Sequence, residues 1–443
     1  MASHSTDTAE KSVGDALTRI AELNPSLNAF IAVFGAEAKA QARVLDEELR
    51  QGRSRGPLHG RTISVKDLID VKGSPTTAAS RVRAGHMAQA DATVVTRLRE
   101  AGAIIIGKTN LHEFALGTTS DESAFGPVHN PHDPTRSPGG SSGGSGAAVA
   151  AGMGWASIGT DTGGSIRIPA SACGVVGLKP AFGEIPTTGV VPLSVSLDHV
   201  GPLAQNVSDA WSIYAALTAS TFPSASPRSL GGVRFGKLAG YFLEKLEDDV
   251  RARFKEALDR LRDAGASIAD IELDGVPDIP QTYLNVALPE AFAFHAEALK
   301  RVPEEFGRGV RSRLEMGGQI TRDDYVQAQG VRARLRSAVD QALSRCDALV
   351  LPTLPISPQK IGAETAMVGS GEEPLRPLTL RLTQLFNLTG HPAISLPCGV
   401  TREGLPCGFQ MVGRRQQTQE LLHIALSSEA FVTPPAPSYS QLR

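Results

Sequence analysis

The sequence lacks several features that mark other classes of protein. Its 443 residues contain no apolar run of about 18 residues, so we expect no membrane-spanning helix. Aromatic residues make up only 5 % and the formal net charge is −2, so neither base stacking nor a basic face indicates a nucleic-acid partner. The N-terminal residues lack the basic and apolar segments of a signal peptide, and we therefore expect a cytoplasmic protein.

Cysteine and clustered metal ligands are also scarce. The chain has four cysteines and none forms a CxxC pair, which predicts buried free thiols rather than disulfide bonds. Its ten histidines are scattered, and no HExxH motif or comparable cluster occurs. We therefore expect no metal and no other cofactor, and interpret four of the histidines as packing or loop residues: His112, His129, His199 and His391.

Apolar and charged residues are balanced as in a globular protein with a large core, at 41 % and 20 %. Strand patterns cover 60–65, 103–106, 233–236, 268–273, 348–351, 393–396 and 407–412. Helical patterns cover 12–23, 36–51, 91–101 with Asp91 as N-cap, 147–152, 248–264, 282–300, 322–345 and 417–429. This alternation predicts an α/β layer architecture.

Three breaks in the pattern complete the predicted organisation. Asn24 and Pro25 are expected to separate the first two helices. Residues 117–146 are rich in Gly, Ser, Pro and Asn and predict a long loop, which in a compact domain is usually functional. The tail 433–443 is rich in Pro and Ser, and we expect it to be loose.

A glycine-rich segment that ends in a serine indicates a catalytic site. Gly163 and Gly164 free the backbone for turns in which successive N–H groups converge, as an oxyanion hole requires. Ser165 follows them, where a nucleophile would stand, but no histidine adjoins it to accept its proton. Lys66 follows an apolar strand, and a desolvated lysine loses its proton readily enough to serve as a base.

Three segments together resemble the amidase signature family: GRTISVKD at 60–67, SPGGSSGGSG at 137–146 and GTDTGGSIR at 159–167. The spacing of Lys66, Ser141 and Ser165 is also similar to that of the family. The resemblance covers most of the chain and is weakest at about 220–345. It continues through 125–131, 174–180, 196–202, 385–397 and 404–410.

The resemblance implies a role for each matching residue. Ser165 matches the nucleophile, Ser141 the bridging serine that the family holds in a cis peptide, and Lys66 the base. The implied oxyanion hole is the backbone of Thr162, Gly163, Gly164 and Ser165, with support from Asp161, Arg167 and Ser142. The implied fold is a single α/β/α domain with a mixed central β-sheet covered by helices, and the implied activity is hydrolysis of C–N bonds through a serine acyl-enzyme.

Within one domain spanning 1–443, we expect three parts. Residues 60–202 form the signature core that carries the catalytic residues, and 220–345 a variable helical region that shapes the substrate site. Residues 346–432 supply the C-terminal part of the sheet and the final helix.

Two motifs offer competing interpretations. The segment from Gly102 to Thr109 satisfies the P-loop pattern, but its four middle residues are predicted to be the strand itself, which leaves no flexible phosphate cradle. The segment 139–143 satisfies the G-x-S-x-G nucleophile elbow around Ser141, with His391 as a possible partner. That elbow must follow a buried strand, whereas residues 132–138 predict a loop.

The sequence is much less specific about the substrate. A stand-alone hydrolase of small amides is expected, and esters or carbamates remain as alternatives with the same machinery. A partner-dependent glutamine amidotransferase subunit is the third alternative, although no glutamine-recognising pattern is seen. We expect a monomer or homodimer. Six residues could line an apolar pocket or simply pack helices: Tyr283, Leu284, Phe292, Phe294, Met316 and Tyr325.

Overall fold

A single large β-sheet organises the structure, a computed structural model that describes residues 8–223 and 226–433. The 13 strands of this part of the chain are β1 (Phe30–Val33), β2 (Thr62–Lys66), β3 (Ile104–Thr109), β4 (Ala156–Asp161), β5 (Val176–Lys179), β6 (His199–Ala204), β7 (Arg234–Leu238), β8 (Ser267–Ile271), β9 (Ala348–Pro352), β10 (Thr365–Val368), β11 (Gly371–Pro374), β12 (Ala393–Val400) and β13 (Pro406–Val412). Eleven of them form the sheet, in the order β1-β3-β2-β4-β6-β5-β12-β13-β9-β7-β8, while β10 and β11 form a separate hairpin.

The sheet is mixed, as expected. Parallel pairs join β2 to β3 and β4, and β7 to β8 and β9. The central strands β6, β5, β12 and β13 pair antiparallel with their neighbours. Because β2 and β4 are parallel neighbours, their carboxyl ends meet at the same edge of the sheet. Lys66 ends β2 and Asp161 ends β4, so this edge brings together two of the motifs singled out from the sequence.

Helices cover the sheet. Those in the described ranges are α1 (Ala9–Leu27), α2 (Gly35–Arg50), α3 (Thr93–Glu100), α4 (Gly143–Ala150), α5 (Arg167–Cys173), α6 (Val207–Thr218), α7 (Tyr241–Glu244), α8 (Asp248–Asp263), α9 (Ile279–Arg301), α10 (Arg308–Gly317), α11 (Arg322–Leu343), α12 (Leu375–Leu380), α13 (Gln384–Thr389) and α14 (Thr418–Val432). In one layer, α3, α6, α14 and α8 pack in succession, while α4 packs on α5 and α9 on α10 and α11. One large apolar cluster runs through the sheet and these layers. The predicted α/β class is confirmed.

Two sequence-based boundaries at the N-terminal side are wrong. The first helix does not break at Asn24 and Pro25 but continues to Leu27. Pro25 lies in the last turn on an exposed side, where water can bind the carbonyl that loses its helical partner. Asp91 is not a helix N-cap, since α3 begins after Ala92. Its carboxylate instead accepts a hydrogen bond from the Lys72 N–H at 2.8 Å.

The predicted loop 117–146 is also too long. It ends at residue 142, because α4 begins at Gly143 rather than at the predicted residue 147. Glycines normally weaken a helix, but here they permit close packing. A Cβ on Gly144 would lie 2.3 Å from the Asn110 carbonyl oxygen, and one on Gly143 would lie 2.4 Å from Ser120 Oγ. The glycines that suggested a loop are therefore the residues that let this helix approach the chain beneath it.

Other features of the fold lie close to the predictions or outside them. The sequence analysis did not assign strands β1, β4, β5 and β6. Residues of β4 to β6 are buried on both faces of the sheet, so these strands show no alternation of apolar and polar residues. Of the predicted loose tail, residues 434–443 lie outside the described residues. In the part of the chain that the structure describes, no helix is long and apolar enough to cross a membrane.

Candidate active site

Lys66 is held at the carboxyl end of β2, where its side chain is fully buried. Its Nζ lies 2.8 Å from Ser141 Oγ and 2.8 Å from Thr160 Oγ1. Thr160 belongs to β4, which runs parallel to β2, so the sheet itself places one of the two hydroxyls. An ammonium donates to both hydroxyls, whereas a neutral amine can donate to one of them and accept a proton from the other.

The surroundings of Lys66 favour the neutral amine. Burial lowers the pKa of Lys66 to about 7, although the charges of Asp161 and Asp198 act in the opposite direction. Within residues 8–223 and 226–433, Lys66 forms no ion pair, so no adjoining carboxylate cancels the effect of desolvation. An amine with this pKa is partly deprotonated at neutral pH and can accept a proton, as a general base must.

Asp67, the next residue, does not reach Lys66. Its carboxylate lies 2.7 Å from the Nζ of Lys108, which is also buried, and accepts hydrogen bonds from the backbone and hydroxyl of Thr77. Adjacent residues of an extended chain point to opposite sides, which separates the two side chains. Lys108 thus pairs with Asp67 inside the protein, and the segment that matched the P-loop pattern is the buried strand β3.

Ser141 lies two residues before the start of α4, and the peptide bond between Gly140 and Ser141 is cis, as the resemblance implied. Its carbonyl accepts hydrogen bonds from the His112 N–H at 3.1 Å and the Ser120 hydroxyl at 3.2 Å. Ser142, the predicted supporting residue, donates its hydroxyl to the Thr160 carbonyl at 3.1 Å. The segment is therefore fixed to β4 at the level where Lys66 binds Ser141.

Ser165 lies in the turn between β4 and α5, next to this segment. The Ser142 N–H donates to the Ser165 carbonyl at 3.2 Å, which ties the two serine-bearing segments together. Its side chain lines a small cavity. Within the described part of the chain, its hydroxyl has no hydrogen-bond partner, so Ser165 and Ser141 are neighbours whose hydroxyls are not in contact in this conformation.

The turn that carries Ser165 is anchored from outside while its own N–H groups stay unused. Thr162 donates its hydroxyl to Asp198 at 2.5 Å, and Thr383 donates its hydroxyl to the Gly163 carbonyl at 2.6 Å. Among the described residues, no acceptor is found for the N–H groups of Gly163, Gly164 and Ser165. An anchored turn with free donors is what stabilisation of an oxyanion requires. Gly164 has φ +143°, a conformation that favours glycine.

Asp161 and Arg167 close the turn from beneath. Both side chains are fully buried, with Arg167 Nη2 at 2.9 Å from Asp161 Oδ1 and the Ile166 N–H donating to Asp161 Oδ2 at 3.1 Å. Burial alone would raise the pKa of Asp161, but the Arg167 guanidinium outweighs it and holds that pKa below its usual range. The side-chain oxygens of Asn387 and Gln410 and the Thr383 carbonyl accept the remaining guanidinium donors. These contacts give Asp161 and Arg167 a supporting position, away from the cavity.

We expect Asp161→Asn to destabilise the protein strongly, because it leaves the buried Arg167 charge without its carboxylate. Loss of one partner of a buried ion pair costs about 3–5 kcal/mol. Urea unfolding should therefore show a much lower midpoint for this variant. The matched control is Glu315→Gln, which removes the exposed Arg311–Glu315 pair and should cost at most about 1 kcal/mol. Equal midpoints for the two variants would contradict the role given to Asp161.

The wall of the cavity at Ser165 combines apolar and polar residues. The wall includes Leu116, Leu193, Tyr283, Leu288 and Leu380. Of the six residues proposed from the sequence as pocket or packing residues, Tyr283 lines this cavity, and a Cβ on Gly163 would lie 2.5 Å from its hydroxyl oxygen. The other five contact helices, the core or solvent: Phe292 packs on Gly318, Leu284 packs against the large apolar cluster, Tyr325 donates to Glu290, and Phe294 and Met316 are exposed.

Three site residues were missed from the sequence: Thr160, which contacts Lys66, together with Asp198 and Arg376. Asp198 receives hydrogen bonds from Thr162 and from the backbone of Leu193 and Ser194, and burial raises its pKa to about 6. It stands in a segment that carries the resemblance, so its motif was visible although its role was not. Arg376, in α12, lines the cavity that contains Ser165, and no pattern in the sequence marked it.

Neither of the competing motifs corresponds to a functional site in the structure. Ser141 follows a loop and not a buried strand, and His391 binds Asp340 and Thr389 rather than either serine. All four cysteines are free and buried, as predicted. In the described ranges, no group of three or more His, Cys, Asp or Glu residues could hold a metal ion.

Comparisons with known proteins agree with this geometry. A sequence model of the family described as Amidase matches residues 11–422. A Pseudomonas putida protein named Amidase is 39 % identical over 94 % of this chain and 91 % of its own length. A Synechococcus sp. (strain RCC307) protein, named as the A subunit of glutamyl-tRNA(Gln) amidotransferase, is 37 % identical over 94 % of this chain and 93 % of its own. A solved structure titled "Crystal structure of amidase" superposes with a TM-score of 0.90 at 39 % identity, covering 96 % of both chains.

Proposed function

Since the chain belongs to the amidase signature family and is an amide hydrolase, we propose that it acts alone on small amides, of the arylamide or carboxamide type, through an acyl-enzyme on Ser165. The observation that carries this proposal is the buried contact of 2.8 Å between Lys66 Nζ and Ser141 Oγ. This contact supports the proposed roles of Lys66, whose pKa is lowered, as the base and of Ser141 as the proton-bridging hydroxyl, beside the turn that bears Ser165.

In the first half of the reaction, Ser165 Oγ attacks the amide carbonyl carbon. Its proton passes to Ser141 Oγ while the Ser141 proton passes to neutral Lys66. Rotation about the Ser165 side chain brings its hydroxyl toward Ser141, and such catalytic hydrogen bonds often form only with substrate bound. The N–H groups of Gly163, Gly164 and Ser165, and the backbone of Thr162, then stabilise the oxyanion.

Collapse of the tetrahedral intermediate breaks the C–N bond. The Lys66 ammonium returns its proton through Ser141 to the leaving nitrogen, which departs as an amine or ammonia. A water molecule then attacks the acyl-enzyme, and its proton follows the same path to Lys66. The carboxylate product leaves as Ser165 regains its proton. Each proton that is accepted is later released, so the enzyme returns to its starting state.

An ester or a carbamate would be cleaved by the same steps, because the attack on the carbonyl carbon is shared and only the leaving group differs. A second candidate is an amidotransferase-type subunit that works with a partner. It is favoured by the 37 % identity to the Synechococcus protein of that name. The apolar residues in the wall of the Ser165 cavity, among them Leu193, Leu288 and Leu380, favour instead a small apolar acyl or aryl group.

The test is a panel of an anilide, a primary amide, an ester and a carbamate with one shared acyl group. The purified chain alone should release amine or ammonia from the amides, with kcat/KM for at least one amide above that for the carbamate. Fast turnover of the ester and carbamate with slow turnover of both amides would move the assignment to an esterase or urethanase. An inert chain that gains activity only with a copurifying partner would favour the amidotransferase-type subunit.

A further inference from the structure

The carboxylate of Glu290, in the long helix α9, accepts four hydrogen bonds. Its Oε2 accepts from the Ser194 hydroxyl at 2.7 Å and from the Ser196 N–H at 3.0 Å. Its Oε1 accepts from the Ser196 hydroxyl at 2.7 Å and from the Tyr325 hydroxyl, in α11, at 2.9 Å. Three of the four donors belong to the segment 193–198, which leads directly into β6. Glu290 therefore ties this segment to α9 and α11.

The same segment holds the turn that carries Ser165. Asp198 Oδ2 accepts the N–H groups of Leu193 at 2.9 Å and Ser194 at 3.1 Å, which closes the segment on itself. Asp198 Oδ1 accepts the Thr162 hydroxyl at 2.5 Å, at the start of the turn whose N–H groups are free. Three consecutive hydrogen-bond contacts thus lead from Glu290 through Ser194 and Asp198 to Thr162.

Hydrogen bonds, rather than apolar packing, hold the tip of the segment 193–198. Val195 at the tip is 74 % exposed. Arg332 of α11 donates to the Ser196 carbonyl at 2.8 Å, so the tip is held from α9 by Glu290 and from α11 by Arg332. An oxyanion hole works only when its donors lie within about 2.7–3.1 Å of the developing charge. A shift of this segment would therefore reach the oxyanion turn through Asp198.

We propose that Glu290 is a positioning residue for the reaction, which holds the segment 193–198 so that Asp198 keeps the oxyanion turn in its productive place. This inference rests on the proposed function, since it concerns the turn that carries the nucleophile. Glu290 is not among the residues that line the Ser165 cavity, so it acts through Asp198 and Thr162 and not on the substrate. Helices α9 and α11 thereby influence the chemical step as well as the shape of the molecule around it.

The test combines Glu290→Gln with a trifluoromethyl ketone, whose carbonyl adds to the nucleophilic serine and forms an alkoxide like that of the tetrahedral intermediate. Glutamine keeps the size, but its amide nitrogen cannot accept a hydrogen bond. We expect kcat for an anilide, per titrated active site, to fall about tenfold, less than the ~10²–10³ that follows loss of an oxyanion-hole donor. KM should change little, and the inhibition constant of the ketone should rise by the factor that kcat/KM loses.

The matched control is Glu297→Gln on the same helix, where Glu297 pairs with Lys300 on the exposed surface. It should leave kcat and the inhibition constant of the ketone unchanged. The double variant Glu290→Gln with Thr162→Val tests the path itself. The two side chains share no hydrogen bond, so independent effects would multiply. We expect the double variant to be no slower than the slower single variant, because both changes release the same turn.

The inference is overturned if Glu290→Gln lowers kcat per active site without weakening the ketone, or if it leaves both within twofold. The second result would mean that the four hydrogen bonds only stabilise the fold. Should Glu290→Gln fail to fold, Ser194→Ala removes a single donor to Glu290 and should shift kcat and the ketone constant together, by a smaller factor. Any of these failures would leave the proposed function standing, whereas an unaltered enzyme that hydrolyses no amide would overturn the proposed function itself.

Discussion

Replacing Ser165 by alanine should lower kcat/KM for an amide substrate by about four orders of magnitude or more. The variant loses the atom that forms the acyl-enzyme, whereas the fold should persist because the Ser165 hydroxyl has no hydrogen-bond partner in the described residues. Hydrolysis of a chromogenic anilide, followed from the pre-steady state with substrate in excess over enzyme, would measure both the steady rate and any burst. The expected result is a near-complete loss of turnover with an unchanged thermal midpoint.

The matched control is Ser145→Ala, from the same glycine- and serine-rich segment as Ser141. Ser145 Oγ lies 2.8 Å from Thr109 Oγ1 and belongs to α4, so this variant loses only that hydrogen bond. It should cost about 1 kcal/mol of stability and keep most of the activity. If Ser165→Ala retained a rate within tenfold of the unaltered enzyme, Ser165 could not be the nucleophile.

The second large effect is expected at Lys66. Lys66→Ala should lose several orders of magnitude in kcat/KM, because no other described group contacts Ser141 Oγ to accept its proton. Lys66→Arg should not rescue the rate, since a guanidinium stays protonated at working pH. An arginine variant with a near-full rate at neutral pH would show that Lys66 acts as a positive charge and not as the base.

The pH dependence follows from the same residue. With the pKa of Lys66 lowered to about 7, kcat/KM should rise with pH along one acid limb and level off above that value. Because the folded pKa lies below the usual 10.5, only the unfolded chain binds this proton between about pH 7 and 10.5. Wild-type stability therefore carries a cost that is complete below pH 7 and fades as pH rises through this window.

That cost can be measured by comparing Lys66→Met with the unaltered protein. Methionine has no proton to lose, so the difference in free energy of unfolding between the two should change by up to about 1.4 kcal/mol per pH unit between pH 7 and 10.5. The variant should gain relative stability as pH falls. A difference that stayed constant across this range would mean that the folded and unfolded pKa values of Lys66 are alike.

The sequence allowed the chemistry-bearing residues to be located because they stand in short segments whose spacing is informative by itself. Lys66 and the turn 161–167 could be named without knowing that β2 and β4 are parallel neighbours, which is the physical reason they meet. The α/β class also followed from periodicity. The sequence analysis missed strands β4 to β6, because strands that are buried on both faces show no alternation of apolar and polar residues.

Long-range contacts are what the sequence could not reveal. Arg376 is distant in the chain from Leu116, and only the folded structure shows that it reaches the Ser165 cavity. The start of α4 was missed for a related reason. Its glycines contact Asn110 and Ser120, and such tertiary packing can override a local preference for loops.

The measurement that tests the central claim most directly is the mapping of a covalent adduct. A fluorophosphonate reacts with an activated serine, and peptide mass spectrometry then identifies the residue that carries the label. We predict a single adduct at Ser165, absent in Ser165→Ala and formed far more slowly in Lys66→Arg. A label on Ser141 with Ser165 unmodified would contradict the account and assign the nucleophile to Ser141.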